Sequence, residues 1–350
     1  AVGFSALIYF SFAILGPGLI AALSLAIPPR ARAMGFSMGA LWALPGLFAL
    51  PLVGWVGDKW GIRVGMLVMT PILLVGMFII SSAANGIRRD IEQVQASARA
   101  RSEAALARKR GEAKLLLTRG VQVSYDKVQV LFGVDIDVAA GEIVALLGTN
   151  GAGKSTLLKA ISGVAEADRG AIVLDGRDIT HAPPNEIAAL GIAQLPGGHA
   201  IFPGLTVREN IEASQWLAKQ EKQSGTPEAK ESLQLFPEIL ERWNEPAANL
   251  SGGQQQMLGL AMALHTAPKV LMIDELSLGL APAVVERILP VIKQIAANGT
   301  AVIIVEQSVN LALTIAERAY FMEKGKIRFS GATKDLLERP DLLRSVFLSK

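Results

Sequence analysis

Cysteine is absent from the 350 residues. That absence excludes structural disulfides, cysteine-ligated zinc, cysteine-bound iron–sulfur clusters and any thiol nucleophile. Charge is also sparse: 19% of residues are charged against 51% hydrophobic, with a mean hydropathy of +0.38. The length suits two or three units rather than one. No internal repeat and no low-complexity tract is visible.

What charge there is lies unevenly. Residues 1–87 carry only Arg30, Arg32, Asp58, Lys59 and Arg63. Residues 88–119 hold nine Lys/Arg against four Asp/Glu, and residues 120–350 hold 21 basic and 26 acidic side chains. The larger part therefore has no net basic field, which argues against nucleic acid as the main partner. Basic residues next to long apolar runs read instead as charge at a membrane surface.

Three uncharged runs, Phe4–Ile27, Ala33–Gly57 and Val64–Ile87, each exceed the ~20 residues a helix needs to cross ~30 Å of hydrocarbon. Gly16-Pro17-Gly18, Pro45, Pro51 and Pro71 lie inside them; neighbouring spans can re-satisfy the backbone groups such residues free. Trp55 and Trp60 fall at an expected span end, where amphipathic rings prefer the headgroup level. A signal peptide would give one short run after a basic start, not three long ones. The expectation is three transmembrane helices over 1–87. Residues 88–112 follow as a polar helical linker rich in Ala, Arg, Glu and Gln. Its positive charge places it on the cytoplasmic face.

From about Val121 the pattern changes to short β-branched runs between amphipathic stretches. EIVALLG (142–148), AIVLD (171–175), KVLMID (269–274) and AVIIVE (301–306) are fully apolar strands, as expected for a parallel sheet covered on both faces.

Gly148-Thr149-Asn150-Gly151-Ala152-Gly153-Lys154-Ser155 fits G-x-x-x-x-G-K-[ST], with a strand before it and a helix-forming stretch after it. Glycines let the backbone curl so that successive N–H groups point at phosphate oxygens, with a helix N-terminus behind them. Lys154 would reach the β- and γ-phosphates and Ser155 would ligate Mg²⁺. The run Lys269–Glu275 is a hydrophobic strand ending in two carboxylates. Asp274 would arrive beside the phosphate loop to hold the Mg²⁺ shell, and Glu275 would polarise a water for in-line attack. Leu250-Ser251-Gly252-Gly253-Gln254 precedes a further helix; a second anion-recognising helix start without its own lysine suits another nucleotide.

With these motifs in this order, residues 113–350 resemble the nucleotide-binding domain of ATP-binding cassette (ABC) transporters, an α/β P-loop fold with a helical subdomain. GIAQLPGGHAIFPGLTVREN, ELSLGLAP, IIVEQ and SGATKDLLERPDLL are similar to segments of ATPase subunits of branched-chain amino acid importers. The resemblance implies a head-to-tail dimer with a second cassette and ATP and Mg²⁺ at the interface. Gly148, Asn150, Gly151, Ala152, Gly153, Lys154, Ser155 and Thr156 of one subunit would face Ser251, Gly252, Gly253 and Gln254 of the other. It also implies that Tyr125 stacks on adenine, that Lys154, Glu275 and Gln307 serve catalysis, and that Ser155 and Asp274 hold the metal.

Three positions depart from that family's pattern. Gly197 stands where a Gln is usual, with Gln194 three residues early. Gln307 stands at the switch position where many members have His, and the histidines (His181, His199, His265) lie elsewhere. A glutamine can hydrogen-bond a γ-phosphate or water but cannot titrate. Leu276 replaces a Pro. Upstream, Gly54-Trp55-Val56-Gly57-Asp58-Lys59-Trp60-Gly61-Ile62-Arg63 resembles the loop between two spans of major facilitator superfamily transporters. The expectation is a multi-pass protein of the cell membrane, its ATPase domain on the cytoplasmic face. ATP hydrolysis would be coupled to movement of a small-molecule solute with further spans or permease subunits. The alternatives are a secondary transporter carrying a regulatory ATPase, or a membrane-tethered ABC ATPase without transport.

Overall fold

Strand alternation in the C-terminal two thirds builds two sheets, and the helices between strands cover them. The computed structural model describes residues 44–65, 67, 92–126, 128–198, 200–220, 234–277, 279–306 and 309–338. The chain divides into two compact units, Ala1–Gln95 and Ala96–Lys350.

In the first unit helix α1 (Leu44–Trp60) has Pro51 inside it, and helical residues resume at 62–65 beyond Gly61. The segment Gly54–Arg63, expected as an inter-span loop, is helical as far as Trp60. The helix stops at Gly61, whose φ of 91° lets its N–H close on Gly57 O at 2.9 Å, a conformation that suits glycine at a helix end. The rings of Trp55 and Trp60 meet edge to face at 5.5 Å, with Lys59 Nζ 5.1 Å from each centroid. Of the three expected spans, Phe4–Ile27 and nearly all of Val64–Ile87 lie outside the described residues; the second overlaps α1. Among the described residues no helix is long and apolar enough to cross a membrane.

The second unit is built on a six-stranded sheet of order β10-β9-β3-β8-β7-β6. Its strands are β3 (Ile143–Gly148), β6 (Ile192–Leu195), β7 (Val270–Asp274), β8 (Ala301–Glu306), β9 (Arg318–Glu323) and β10 (Lys326–Ala332). All neighbours run parallel except β10 against β9. Val144, Leu146, Val270, Met272, Ile303 and Val305 face one apolar cluster. Ala145, Leu147, Leu271, Ile273, Val302 and Ile304 face the other. Burying each such Val, Leu or Ile contributes roughly 1.5–3 kcal/mol, so this central sheet anchors the unit.

A second, antiparallel sheet has the order β2-β1-β4-β5, from β1 (Leu116–Tyr125), β2 (Val128–Val138), β4 (Arg169–Leu174) and β5 (Arg177–Asp178). The expectation that AIVLD joins the parallel sheet is therefore corrected: it forms β4, antiparallel to β1. The physical reason lies in helix α2, residues 92–109. Ile172 and Leu174 point into the inner cluster. Ala171 and Val173 lie on the other face with Leu117, under Ala100 and Ala104 of α2. A strand covered on both faces loses the polar alternation that would mark it as antiparallel. The basic stretch is thus a helix seated on this sheet by two small residues four apart. Glu103 on α2 accepts from Arg119 Nε at 3.0 Å and Nη2 at 2.6 Å, and Arg108 pairs with Asp175. Exposed pairs of this kind contribute about 0.2–1 kcal/mol each, so the alanine stripe dominates.

Ala100 is 1% exposed, leaving no room for a larger side chain. Ala100→Leu in the full chain should destabilise by about 1–3 kcal/mol through overpacking. Thermal unfolding should show it as a fall of roughly 2–4 °C per kcal/mol. Ala105→Leu, on the exposed side of the same helix, should leave the midpoint unchanged; equal effects would place the buried face elsewhere.

Candidate functional site

The phosphate loop begins where β3 ends. Gly148 has φ 154°, and a Cβ there would meet Met322 O of β9 at 2.1 Å, so no side chain fits. Gly151 (φ 72°) and Gly153 (φ 102°) turn the chain through left-handed backbone, which glycine adopts at little steric cost. Ala152 is buried, and its carbonyl accepts from Gly325 N–H at 2.8 Å, which pins the loop to the turn after β9.

Gly153 then caps helix α3 (Lys154–Ile161) without any side-chain hydrogen bond, and no acidic residue stands in the first turn. The first amide groups of a helix have no intrahelical acceptor; here they are left to the loop and to whatever anion it holds. Lys154 is 6% exposed, and its Nζ donates to Gly148 O at 2.9 Å and Thr149 O at 3.0 Å. Burial pushes its pKa below the usual lysine range, while Glu275, Asp274 and Glu306 oppose that shift. Asn150 and Ser155 are exposed and Thr156 is half-buried.

Asp274 ends β7 beside Val305 of β8. It is hydrogen-bonded to Ser155, yet burial raises its pKa above the usual carboxylate range and the neighbouring Glu275 charge adds to the rise. Its Oδ1 is buried and, among the described residues, receives no hydrogen bond. An orphaned carboxylate oxygen next to a serine hydroxyl is a pair of hard oxygen donors, the ligand type a small divalent cation takes up. Glu275 follows in left-handed backbone (φ 52°), with its N–H donated to Val305 O at 3.0 Å.

Strand β6 settles which residue faces this pair. Gln194 aligns with Met272 and Leu195 with Ile273, which brings Gly197 level with Glu275. A Cβ on Gly197 would lie 3.2 Å from Asp274 O and 3.7 Å from Glu275 Oε2. Gln194 points elsewhere, accepting from Ser162 Oγ at 2.9 Å at the far end of α3. Gln307 lies outside the described residues.

The remaining residues sit on separate elements. Ser251 caps helix α5 (Gly252–His265), which follows α4 (Val207–Gln220) in the chain. Its backbone N–H donates to Gln254 Oε1 at 3.0 Å, completing a reciprocal capping box. Gly253 packs so tightly that a Cβ would lie 2.6 Å from Val284 Cγ1, whereas Ser251 and Gly252 are exposed. Tyr125 is 44% exposed at the β1–β2 turn, its Cα partner Val128. Two residues beyond Val128, Val130 Cγ1 would lie 3.6 Å from a Cβ built on Gly153. The motif reading missed Glu306 and Ser277. The signal was present: a carboxylate closing an otherwise apolar buried strand needs a partner.

A folded-state pKa raised above the unfolded value means that Asp274 favours folding below the unfolded pKa. That contribution is lost as pH rises through the folded pKa. At pH 7 the charged carboxylate is thus a net cost to the unliganded protein. Asp274→Asn should raise the melting temperature, by roughly 2–4 °C if relief of the unpaired group is worth ~1 kcal/mol. The gain should shrink as the pH is lowered toward 4; a lower melting point at pH 7 would contradict this account.

Comparison with known proteins agrees with this geometry. The family described as ABC transporter matches residues 131–277. The high-affinity branched-chain amino acid transport ATP-binding protein BraG of Pseudomonas aeruginosa is 40% identical over 220 residues, 63% of this chain and 94% of that protein. The probable branched-chain amino acid transport ATP-binding protein LivF of Archaeoglobus fulgidus is 37% identical over 64% of this chain and 94% of its own length. Among solved structures, the ADP conformation of an ATP-binding cassette of an ABC transporter superposes with a TM-score of 0.60. It is 25% identical, over 68% of this chain and 99% of that one. None of these matches supports the resemblance of Gly54–Arg63 to a major facilitator loop. The chain belongs to the ABC transporter ATPase family and carries its ATP-hydrolysing domain.

Proposed function

We propose that this cassette is the motor of an importer for branched-chain amino acids. Two copies would bind ATP between them at the cytoplasmic face of the cell membrane. The observation that carries the chemical part is the buried Lys154 ammonium, lodged on two loop carbonyls within the field of three carboxylates. Such a lysine gains from exchanging neutral carbonyls for phosphate oxygens.

Each residue then has a task that follows from its position. The loop amides around Gly151 and Gly153 and the open end of α3 receive the phosphates. Tyr125, exposed at the β1–β2 turn, would stack on the adenine ring. Ser155 and Asp274 would hold Mg²⁺, which neutralises charge on the phosphate oxygens when bound. Glu275 orients the attacking water and accepts its proton. Ser251–Gln254 of the second copy would close the site with the start of α5. Gln307 would reach the γ-phosphate side by hydrogen bonding alone. Gly197 itself offers no side chain to the water or metal at that position, so Glu275 carries this role more heavily.

The importer reading rests on the similarity to the branched-chain amino acid transport ATP-binding proteins. A second support is the loop after β6, where Phe202 is 55% and Leu205 36% exposed. Apolar side chains there offer a contact for a membrane permease subunit. The uncharged runs before residue 88 would keep the cassette at the membrane.

Glu275→Gln tests the motor. It should retain ATP binding within about threefold, accumulate an ATP-dependent dimer on sizing, and lose ~10²-fold or more in turnover, as removal of a general base does. Turnover near wild type would remove Glu275 from its role. Leucine uptake by cells complemented with this variant should stay at the level of the deletion; restored uptake would detach transport from hydrolysis.

A further inference from the structure

Glu306 is 2% exposed at the end of β8. It follows Val305, the residue that flanks Asp274 on β7 and accepts the Glu275 N–H. A carboxylate so placed has to be hydrogen-bonded to remain charged in a low-dielectric setting. Ser277 supplies two of the donors: its backbone N–H reaches Glu306 Oε1 at 2.9 Å, and its Oγ reaches Oε2 at 2.9 Å.

The chain between the two anchored points is short. Glu275 leaves the strand in left-handed backbone, Leu276 turns inward at 1% exposure, and Ser277 is tied back to β8. A non-glycine residue holds such a conformation where its surroundings over-determine it. The Glu275 N–H bond fixes one end of this turn and the Glu306–Ser277 pair fixes the other. Both anchors are on the same strand. The turn therefore cannot shift without β8, and β8 is hydrogen-bonded to β3, which delivers the phosphate loop.

We propose that Glu306 is a positioning residue for hydrolysis, its carboxylate clasping Ser277 so that the Glu275 side chain is held toward the phosphate loop. The proposal rests on the ATPase reading, with Glu275 as the residue that handles water. Geometry, not charge, is the operative property. Glu306→Gln can keep both contacts, its amide oxygen accepting from Ser277 N–H and its amide nitrogen donating to Ser277 Oγ. Glu306→Leu keeps volume and loses both.

The test is steady-state hydrolysis by the full chain together with binding of a fluorescent ATP analogue. Glu306→Leu should lower kcat about 30-fold or more while analogue affinity stays within ~threefold, since displacement of an acting group by ~1 Å costs rates of this order. Glu306→Gln should restore kcat to within about threefold, and bind nucleotide no more weakly, because it removes a negative charge near Lys154. Ser277→Ala should lose roughly three- to tenfold in kcat with unchanged affinity. Unchanged kcat in both Glu306→Leu and Ser277→Ala overturns the proposal, as does a matched loss of binding and kcat. Should Glu306→Leu not fold, Ser277→Ala decides by the same criterion. A wild-type chain that binds the analogue yet does not hydrolyse ATP would overturn the reading beneath it as well.

Discussion

A lysine held under a curled glycine loop is the constraint on which the second unit depends. The Lys154 ammonium is almost wholly out of water, a state that costs several kcal/mol unless partners replace the lost hydration. Two loop carbonyls supply its hydrogen bonds, and the field of Glu275, Asp274 and, least of the three, Glu306 favours its charged form. Three neighbouring strand ends deliver these groups: β3 the carbonyls, β7 Asp274 and Glu275, and β8 Glu306. The parallel order of these strands is therefore a requirement of the charge arrangement. An open α/β sheet gathers its binding groups where the carboxyl ends of its strands meet.

The same crowding explains why the site is strained and under-satisfied. Glu275 holds an uncommon backbone conformation, and one oxygen of Asp274 lacks a donor among the described residues. These features oppose stability in the unliganded protein. Nucleotide and cation can relieve them, so part of the binding free energy is already stored as unmet electrostatic demand in the fold. Gly197 belongs to this picture. A Cβ at this position would sit 3.2 Å from Asp274 O, tighter than an ordinary contact, and within van der Waals reach of Glu275 Oε2.

Much of this was legible because the chemistry is local in sequence. The loop 148–155, the carboxylates at 274 and 275 and the SGGQ helix start each need contiguous residues, so spacing alone located them. Gly197 at the position where the family usually has Gln was also readable from the flanking residues, and the β6–β7 register brings Gly197 level with Glu275. Pairings across distance were not readable. AIVLD looked like a parallel core strand because α2, over 60 residues away, covers its outer face. Gly54–Arg63 looked like a loop because its Gly, Asp and Arg spacing resembles a loop between two spans, yet the helix runs on to Trp60 and breaks at Gly61. Glu306 drew no attention since its partner Ser277 lies in another segment. These misses share one cause: burial and partners are set by tertiary packing, which a local pattern does not carry.

The second unit thus joins an antiparallel sheet, roofed by a basic helix, to a parallel sheet whose strand ends carry the chemistry. The most direct measurement of the central claim is calorimetric titration of Mg-ATP into the full chain and its Lys154→Ala variant. The account predicts saturable binding by the wild type, weakened roughly 10–100-fold in the variant, the loss of charge-assisted bonds worth ~1.5–3 kcal/mol. Equal affinity in the two proteins would contradict it.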